Sequence, residues 1–173
     1  MIIEKGEIRD IDELEVLYDC LNDYLASQVN YPGWIKGIYP VRETAINAIE
    51  EGALFVLRRN SKIAGSIVLN HTPEPAYDQV TWNVDTAYSN IFVVRTLVVH
   101  PHFMKQGIGG RLMTFAESYA RQHSIKILRL DVSEHNMPAI ALYRKLGYKY
   151  VGTVDLGLDY PHLKWFELYE KVL

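Results

Sequence analysis

A chain of 173 residues, 49 % of them apolar and 23 % charged, holds enough material for one globular domain spanning residues 1–173. A formal charge of −3 leaves no basic footprint and argues against a dedicated nucleic-acid surface, where clustered Lys and Arg carry much of the affinity. No charged-then-apolar leader opens the sequence and no apolar run approaches the roughly 20 residues that cross a bilayer, so a cytoplasmic protein without a membrane partner is expected.

The first residues, "MIIEKG", read as a short strand. After Asp10, a plausible N-cap, the apolar positions Ile11, Leu14, Leu17, Leu21 and Leu25 recur at helical spacing and bury one face to about Ala26. Cys20, the only cysteine, falls in that helix, where burial is expected over a nucleophilic role and no internal disulfide is available. An irregular stretch, "SQVNYPGWIKGIYP", precedes a short helix in "VRETAINAIEEG" that Gly52 closes. The strands "ALFVLRR" and "KIAGSIVLN" flank Asn60-Ser61, a hairpin signal. Beyond a proline-containing loop a strand piece is expected around "VTWNV". The most continuous apolar strand is "NIFVVRTLVV", which its pattern places centrally with both faces covered. A glycine turn leads into a helix with Ile108, Leu112, Phe115 and Tyr119 on one stripe. Strand "IKILRLDV", helix "MPAIALYRKLG", strand "YKYVGTV" and the terminal strand "KWFELYEKV" complete the chain.

The glycine turn, "KQGIGGRLM", raises a physical question. A strand running through such a turn into a helix leaves the first helical N–H groups without internal partners at the positive end of the dipole. Gly107, Gly109 and Gly110 remove side chains that would keep an anion from those amides, so a phosphate-bearing ligand is expected. The Lys-Ser/Thr pair of a nucleoside-triphosphate loop is missing, because Arg111-Leu112 stands there, and a dinucleotide G-x-G-x-x-G near the N-terminus is absent.

Two runs carry a resemblance to a known family. "LVVHPHFMKQGIGGRLM" is similar to the pattern L-x-V-x-P followed by R/Q-x-x-G-x-G/A, and "LRLDVSEHNMPAIALYRKLGY" to an apolar strand followed by N-x-x-A-x-x-L-Y-x-K-L-G-F/Y. Together, in this order and over about residues 91 to 152, they resemble the GCN5-related N-acetyltransferases (GNAT). The resemblance implies an α/β fold with a mixed, mostly antiparallel central sheet of six to seven strands, flanked by helices, whose splayed central strand binds coenzyme A. One departure stands out: the usual Arg or Gln is Met104, with Lys105 or Arg111 left to supply the polarity.

The resemblance also implies residue roles. Leu97, Val98 and Val99 would offer backbone hydrogen bonds to the pantetheine arm of acetyl-CoA, with the Val99 amide facing the thioester oxygen. Lys105, Gln106, Gly107, Ile108, Gly109 and Gly110 would wrap the pyrophosphate. Asn136 would contact the cofactor arm and Tyr143 would protonate the departing thiolate. Seven residues at about 100° each return nearly to the start, so Asn136 and Tyr143 share a helix face. Asn136 would equally serve as an N-cap. The implied reaction is acyl transfer to a primary amine by direct attack in a ternary complex. An amine of pKa near 10.4 must first lose a proton. Asp131 aligns with a glutamate base of some members, with Arg129 two residues away on the same strand face to keep it ionised. Glu134 and His135 are weaker candidates.

Other features weigh less. His100 and His102 lack a third ligand at useful spacing, so no metal is expected. Trp34, Tyr39, Trp82 and Tyr160 are candidates for an aromatic acceptor wall or for satellite core. The acceptor is open between a small-molecule amine, slightly favoured, and a protein N-terminus or lysine; a non-catalytic CoA-binding sensor is the reading from another class. The terminal strand, if it lies at a sheet edge, would suit a homodimer.

Overall fold

The computed structural model describes residues 1–173. Its elements are β1 (Ile2–Lys5), α1 (Ile11–Ser27), α2 (Arg42–Glu50), β2 (Leu54–Arg59), β3 (Lys62–Asn70), β4 (Ile91–Val99), α3 (Ile108–Gln122), β5 (Ile127–Ser133), α4 (Met137–Lys145), β6 (Lys149–Asp155) and β7 (Trp165–Val172). The sheet has seven strands in the order β1-β2-β3-β4-β5-β7-β6. The chain divides into two compact units, one built from residues 1–30, 34–70 and 95–116, the other from 31–33, 71–94 and 117–173.

In the first unit, β1 pairs antiparallel with β2 from Ile2↔Arg58 to Lys5↔Phe55, and β2 with β3. Asn60 and Ser61 both take positive φ, 50° and 64°, the conformation that matches a two-residue hairpin to the strand twist. Helix α1 buries Leu14, Leu17, Tyr18, Leu21 and Leu25 against Leu54, Val56, Ile63 and Val98. Cys20, expected to be buried, is exposed, because it lies about 120° around the helix from the centre of that stripe. Asp10 does not cap α1 with its side chain. Its buried carboxylate instead meets Arg58 at 2.5 Å and accepts the Glu7 N–H at 3.0 Å. Helix α2 starts with the Val41 N–H bonded to Thr44 Oγ1 at 3.0 Å and ends at Gly52, whose φ is +66°.

In the second unit, β4 runs parallel to β5 from Ile91↔Ile127 to Val94↔Leu130, and β7 pairs antiparallel with both β5 and β6. The terminal strand is thus an interior strand, with Leu168 and Tyr169 fully buried, and supplies no edge for a dimer. The expected strand around "VTWNV" does not form. Side chains hold that segment: Trp82 Nε1–H donates to Tyr77 O at 3.0 Å, the Asn83 N–H to Glu170 Oε1 at 3.1 Å, and Arg129 donates to Val84 O at 2.6 Å. Arg129 also pairs with Glu170 at 2.9 Å, and both side chains are almost wholly buried, 3 % and 1 % exposed. The Trp82 ring covers the guanidinium at 4.1 Å. On α3 the fully buried residues are Ile108, Leu112, Met113, Ala116 and Ala120, whereas Phe115 and Tyr119, expected on the core stripe, are half-buried.

Removing one member of a buried ion pair strands the other charge in a low-dielectric site. Glu170→Ala should therefore lower unfolding stability by about 3 to 5 kcal/mol in urea titrations; a loss below about 1 kcal/mol would mean that Arg129 finds another anion or reaches water.

Candidate active site

In the first unit the site begins where β4 changes character. Thr96 adopts φ +48°, a left-handed conformation that strains a β-branched residue. Its hydroxyl is bonded to the phenol of Tyr39. Tyr39 is held in turn by Asn22, whose Nδ2–H donates to Tyr39 O at 3.2 Å, and by Trp34, whose ring meets it edge-on at 5.5 Å. Trp34 packs on the core cluster of α1, β2 and β3. Val98 is fully buried, while Leu97 and Val99 are half-buried. The His100 N–H donates to Ala64 O in β3 at 2.9 Å. Because successive residues of an extended chain turn their backbone groups to opposite edges, the amide and carbonyl of Val99 point away from β3.

After β4 the chain makes a 3-10 turn at Pro101–Phe103 and then a tighter one, with φ +60° at Lys105 and +77° at Gly107. The first bond of α3 runs from the Arg111 N–H to Gly107 O at 3.0 Å, so the amides of Ile108, Gly109 and Gly110 precede the helical ladder. Gly107 alone of the three glycines takes positive φ; Gly109 and Gly110 lie in the first helical turn. A side chain on Gly107 would meet nothing within 4 Å, so the turn opens outward. Gly65 on β3 sets how closely α3 can approach: a Cβ there would sit 2.6 Å from Val98 O and 3.0 Å from Ile108 Cγ2. Met104 packs into the core cluster, and Lys105 and Arg111 are exposed. The cation in contact with the turn comes from β2, where Arg59 donates to the side-chain oxygen of Gln106.

In the second unit, Asp131 on β5 accepts the Tyr77 O–H at 2.6 Å. Arg129, expected to steady Asp131, is taken up by Glu170, Tyr88 and Val84. Tyr143 on α4 is buried, its ring 6.0 Å from Tyr148 and 6.5 Å from Tyr169. Burial, with the Asp131 carboxylate adding to it, pushes the Tyr143 phenol well above its ordinary range, so it stays protonated at neutral pH and is no base. Asn136 turns its carboxamide oxygen back to the Ala139 N–H at 3.4 Å and caps α4. Glu134 and His135 lie 3.6 Å apart at the surface. Trp82 is occupied by Arg129, and its ring lies 5.3 Å from that of Tyr77, tilted by 52°.

Asp131 is thus paired with Tyr77, Tyr143 sits in an aromatic cluster with Tyr148 and Tyr169, and Asn136 has a capping bond. Sequence reasoning missed Tyr77, Thr96 and Arg59, and it offered Tyr39 for an acceptor wall or satellite core where the structure bonds it to Thr96. Only Thr96 carried a local hint, as a hydroxyl within an apolar strand. His100 Nδ1 accepts the His102 N–H at 3.1 Å, and both rings meet Phe103 edge-on. No group of three or more His, Cys, Asp or Glu is close enough to hold a metal ion.

Comparison with known proteins bears on this arrangement. A family model described as "Acetyltransferase (GNAT) family" matches residues 17–148, about three quarters of the chain. The uncharacterized N-acetyltransferase YesJ of Bacillus subtilis (strain 168) is 29 % identical over 110 residues, 64 % of this chain and 60 % of YesJ. The chain therefore spans about three fifths of that relative. Among solved structures, a GNAT-family acetyltransferase from Streptococcus agalactiae 2603 superposes with a TM-score of 0.77 at 21 % identity, over 99 % of this chain and 95 % of that one. The structure of yncA from Salmonella typhimurium, solved with its cofactor acetyl-CoA, superposes with a TM-score of 0.70 at 14 % identity, over 99 % and 93 %.

The buried phenols make stability depend on alkaline pH. Tyr18, pushed up by burial to about 12, and Tyr143 hold their protons more tightly folded than unfolded, where a phenol titrates near 10. Their contribution is fully present below about pH 10 and is lost as pH rises through the folded values. Urea midpoints should be flat from about pH 7 to 9 and fall above about 10, and Tyr18→Phe should make the fall shallower. An equal slope in the variant would mean that Tyr18 titrates normally.

Proposed function

The chain belongs to the GNAT family of acetyltransferases, and from that premise we propose that it is an acetyl-CoA-dependent N-acetyltransferase acting on a primary amine by direct attack. The observation that carries the reading is the outward-opening turn at Lys105–Gly107, followed by the three amides of α3 that precede its ladder. Backbone N–H groups at a helix start, with no side chain on Gly107, fit a pyrophosphate. Bound acetyl-CoA would supply an activated acetyl group on a thiol leaving group.

The chain's own residues take the remaining tasks. Lys105, Gln106, Gly107, Ile108, Gly109 and Gly110 hold the phosphates, mainly through backbone amides. Leu97, Val98 and Val99 line the acyl arm, and the Val99 amide, directed away from β3, donates to the carbonyl oxygen as charge develops there. Tyr143, kept protonated by burial, gives its hydrogen to the departing sulfur. Asp131, its carboxylate held by the Tyr77 hydroxyl, draws the proton from the incoming amine, directly or through water. Asn136 contributes mainly as the cap that orients α4 and hence Tyr143. A small-molecule amine is the favoured acceptor over a protein N-terminus or lysine. The presence of a buried phenol at Tyr143 favours turnover over a sensor that only binds CoA.

Two experiments test this. Acetyl-CoA at 100 times its dissociation constant should stabilise the fold by about 2.7 kcal/mol, a rise of roughly 5 to 10 °C in melting temperature, with ATP and NADH inert; a response to ATP alone would refute the ligand. In a screen of primary amines read by thiol release, Tyr143→Phe should cut turnover about 100-fold or more while acetyl-CoA affinity holds. Unchanged turnover would remove the acid role.

A further inference from the structure

Arg58 and Arg59 are neighbours at the end of β2 with opposite circumstances. Arg58 collects carboxylates: Glu4 at 2.6 Å, Asp10 at 2.5 Å and Glu13 at 3.5 Å. Arg59 has none. Its guanidinium donates to the Gln106 side-chain oxygen and lies 5.7 Å from the centre of the Phe103 ring. Gln106 is anchored at its other end, Nε2–H donating to His102 O at 3.2 Å. A neutral amide oxygen satisfies one of five guanidinium donors and leaves the charge uncompensated. Gln106 sits between Lys105 and Gly107, the two residues with positive φ that shape the turn. Met104, two residues before Gln106, packs against the core cluster. Just before the turn, burial depresses the His100 imidazole, with His102 and Lys62 adding to the effect.

We propose that Arg59 is a cofactor-binding residue whose guanidinium pairs with a phosphate group of coenzyme A seated at the Lys105–Gly107 turn, replacing the Gln106 contact. This rests on the acetyl-CoA reading above. The planar fork of Arg matches two phosphate oxygens at once, which an amide oxygen cannot offer it. Phe103 and Gln106 hold the fork beside the turn in advance, so little side-chain freedom is lost on binding.

Calorimetric titration with CoA tests the assignment. Arg59→Ala should weaken CoA about tenfold or more, and the gap from wild type should narrow as sodium chloride is raised from about 50 to about 500 mM, because an ion pair is screened. Pantetheine, which lacks every phosphate, should bind wild type and variant alike by ligand-observed NMR. Dephospho-CoA identifies the group: a loss that persists with it assigns Arg59 to the pyrophosphate, and one that disappears assigns it to the 3′-phosphate. Arg59→Gln serves where the alanine variant folds poorly. Equal CoA affinity in wild type and variant overturns the role of Arg59 alone. A salt-independent loss shared by pantetheine also overturns it, since that marks a structural staple for the turn. A wild type that binds no CoA refutes the acetyl-CoA reading and the role of Arg59 with it.

Discussion

At Thr96 the backbone of β4 takes φ +48° between its two apolar runs, Ile91–Val94 and Leu97–Val99, and the geometry of the first unit's candidate site depends on that one conformation. A β-branched residue holds it only where its surroundings over-determine it. Here they do so through Tyr39, which binds the Thr96 hydroxyl and is itself fixed by Asn22 and Trp34. The loop between α1 and α2 thereby acts on a strand 57 residues away. Beyond the kink, Leu97 to Val99 return to extended geometry, and His100 re-engages β3 through Ala64. Val99 is left with backbone groups turned outward.

A close approach shapes the turn that comes next. Gly65 lets Ile108 and Val98 approach β3 more closely than any Cβ would allow, which seats the start of α3 beside the strand. The helix then presents amides that have no internal acceptors. Positive potential there comes from the dipole and from Arg59, while the carboxylates of Glu4, Asp10 and Glu13 are committed to Arg58. This segregation of charge between two adjacent arginines follows from strand alternation.

The second unit solves a different problem. Arg129 and Glu170 are buried across β5 and β7 and would be costly alone. They are satisfied by Trp82, Asn83, Val84 and Tyr88, so the segment from Trp82 to Tyr88 is held by an ion pair in place of a ladder. With Arg129 so occupied, Asp131 turns to Tyr77. Burial, with that carboxylate adding to it, favours the neutral form of the Tyr143 phenol. Two residues apart on one strand, Arg129 and Asp131 thus have separate sets of partners.

Local periodicity and turn chemistry made much of this legible in the sequence. The apolar spacing of α1, the hairpin at Asn60-Ser61, the closure of α2 at Gly52 and the glycine turn before α3 depend on near neighbours, which one-dimensional patterns record. The expectations that failed depended on distant partners. Cys20 and Phe115 were misplaced because a helix's buried arc is set by the surface it packs against. The segment around Trp82 has strand-forming residues but no ladder, because Glu170 and Arg129 claim its backbone groups. The terminal strand reads as an ordinary half-buried strand, and only the assembled sheet inserts it between β5 and β6. By itself, the sequence determined the succession of elements, the glycine turn at the start of α3 and the position of Tyr143 on α4. Tertiary structure alone decided that Arg59 reaches Gln106, that Tyr77 holds Asp131 and that Tyr39 holds Thr96, since each joins residues 47 or more positions apart through side-chain directions that no local spacing encodes.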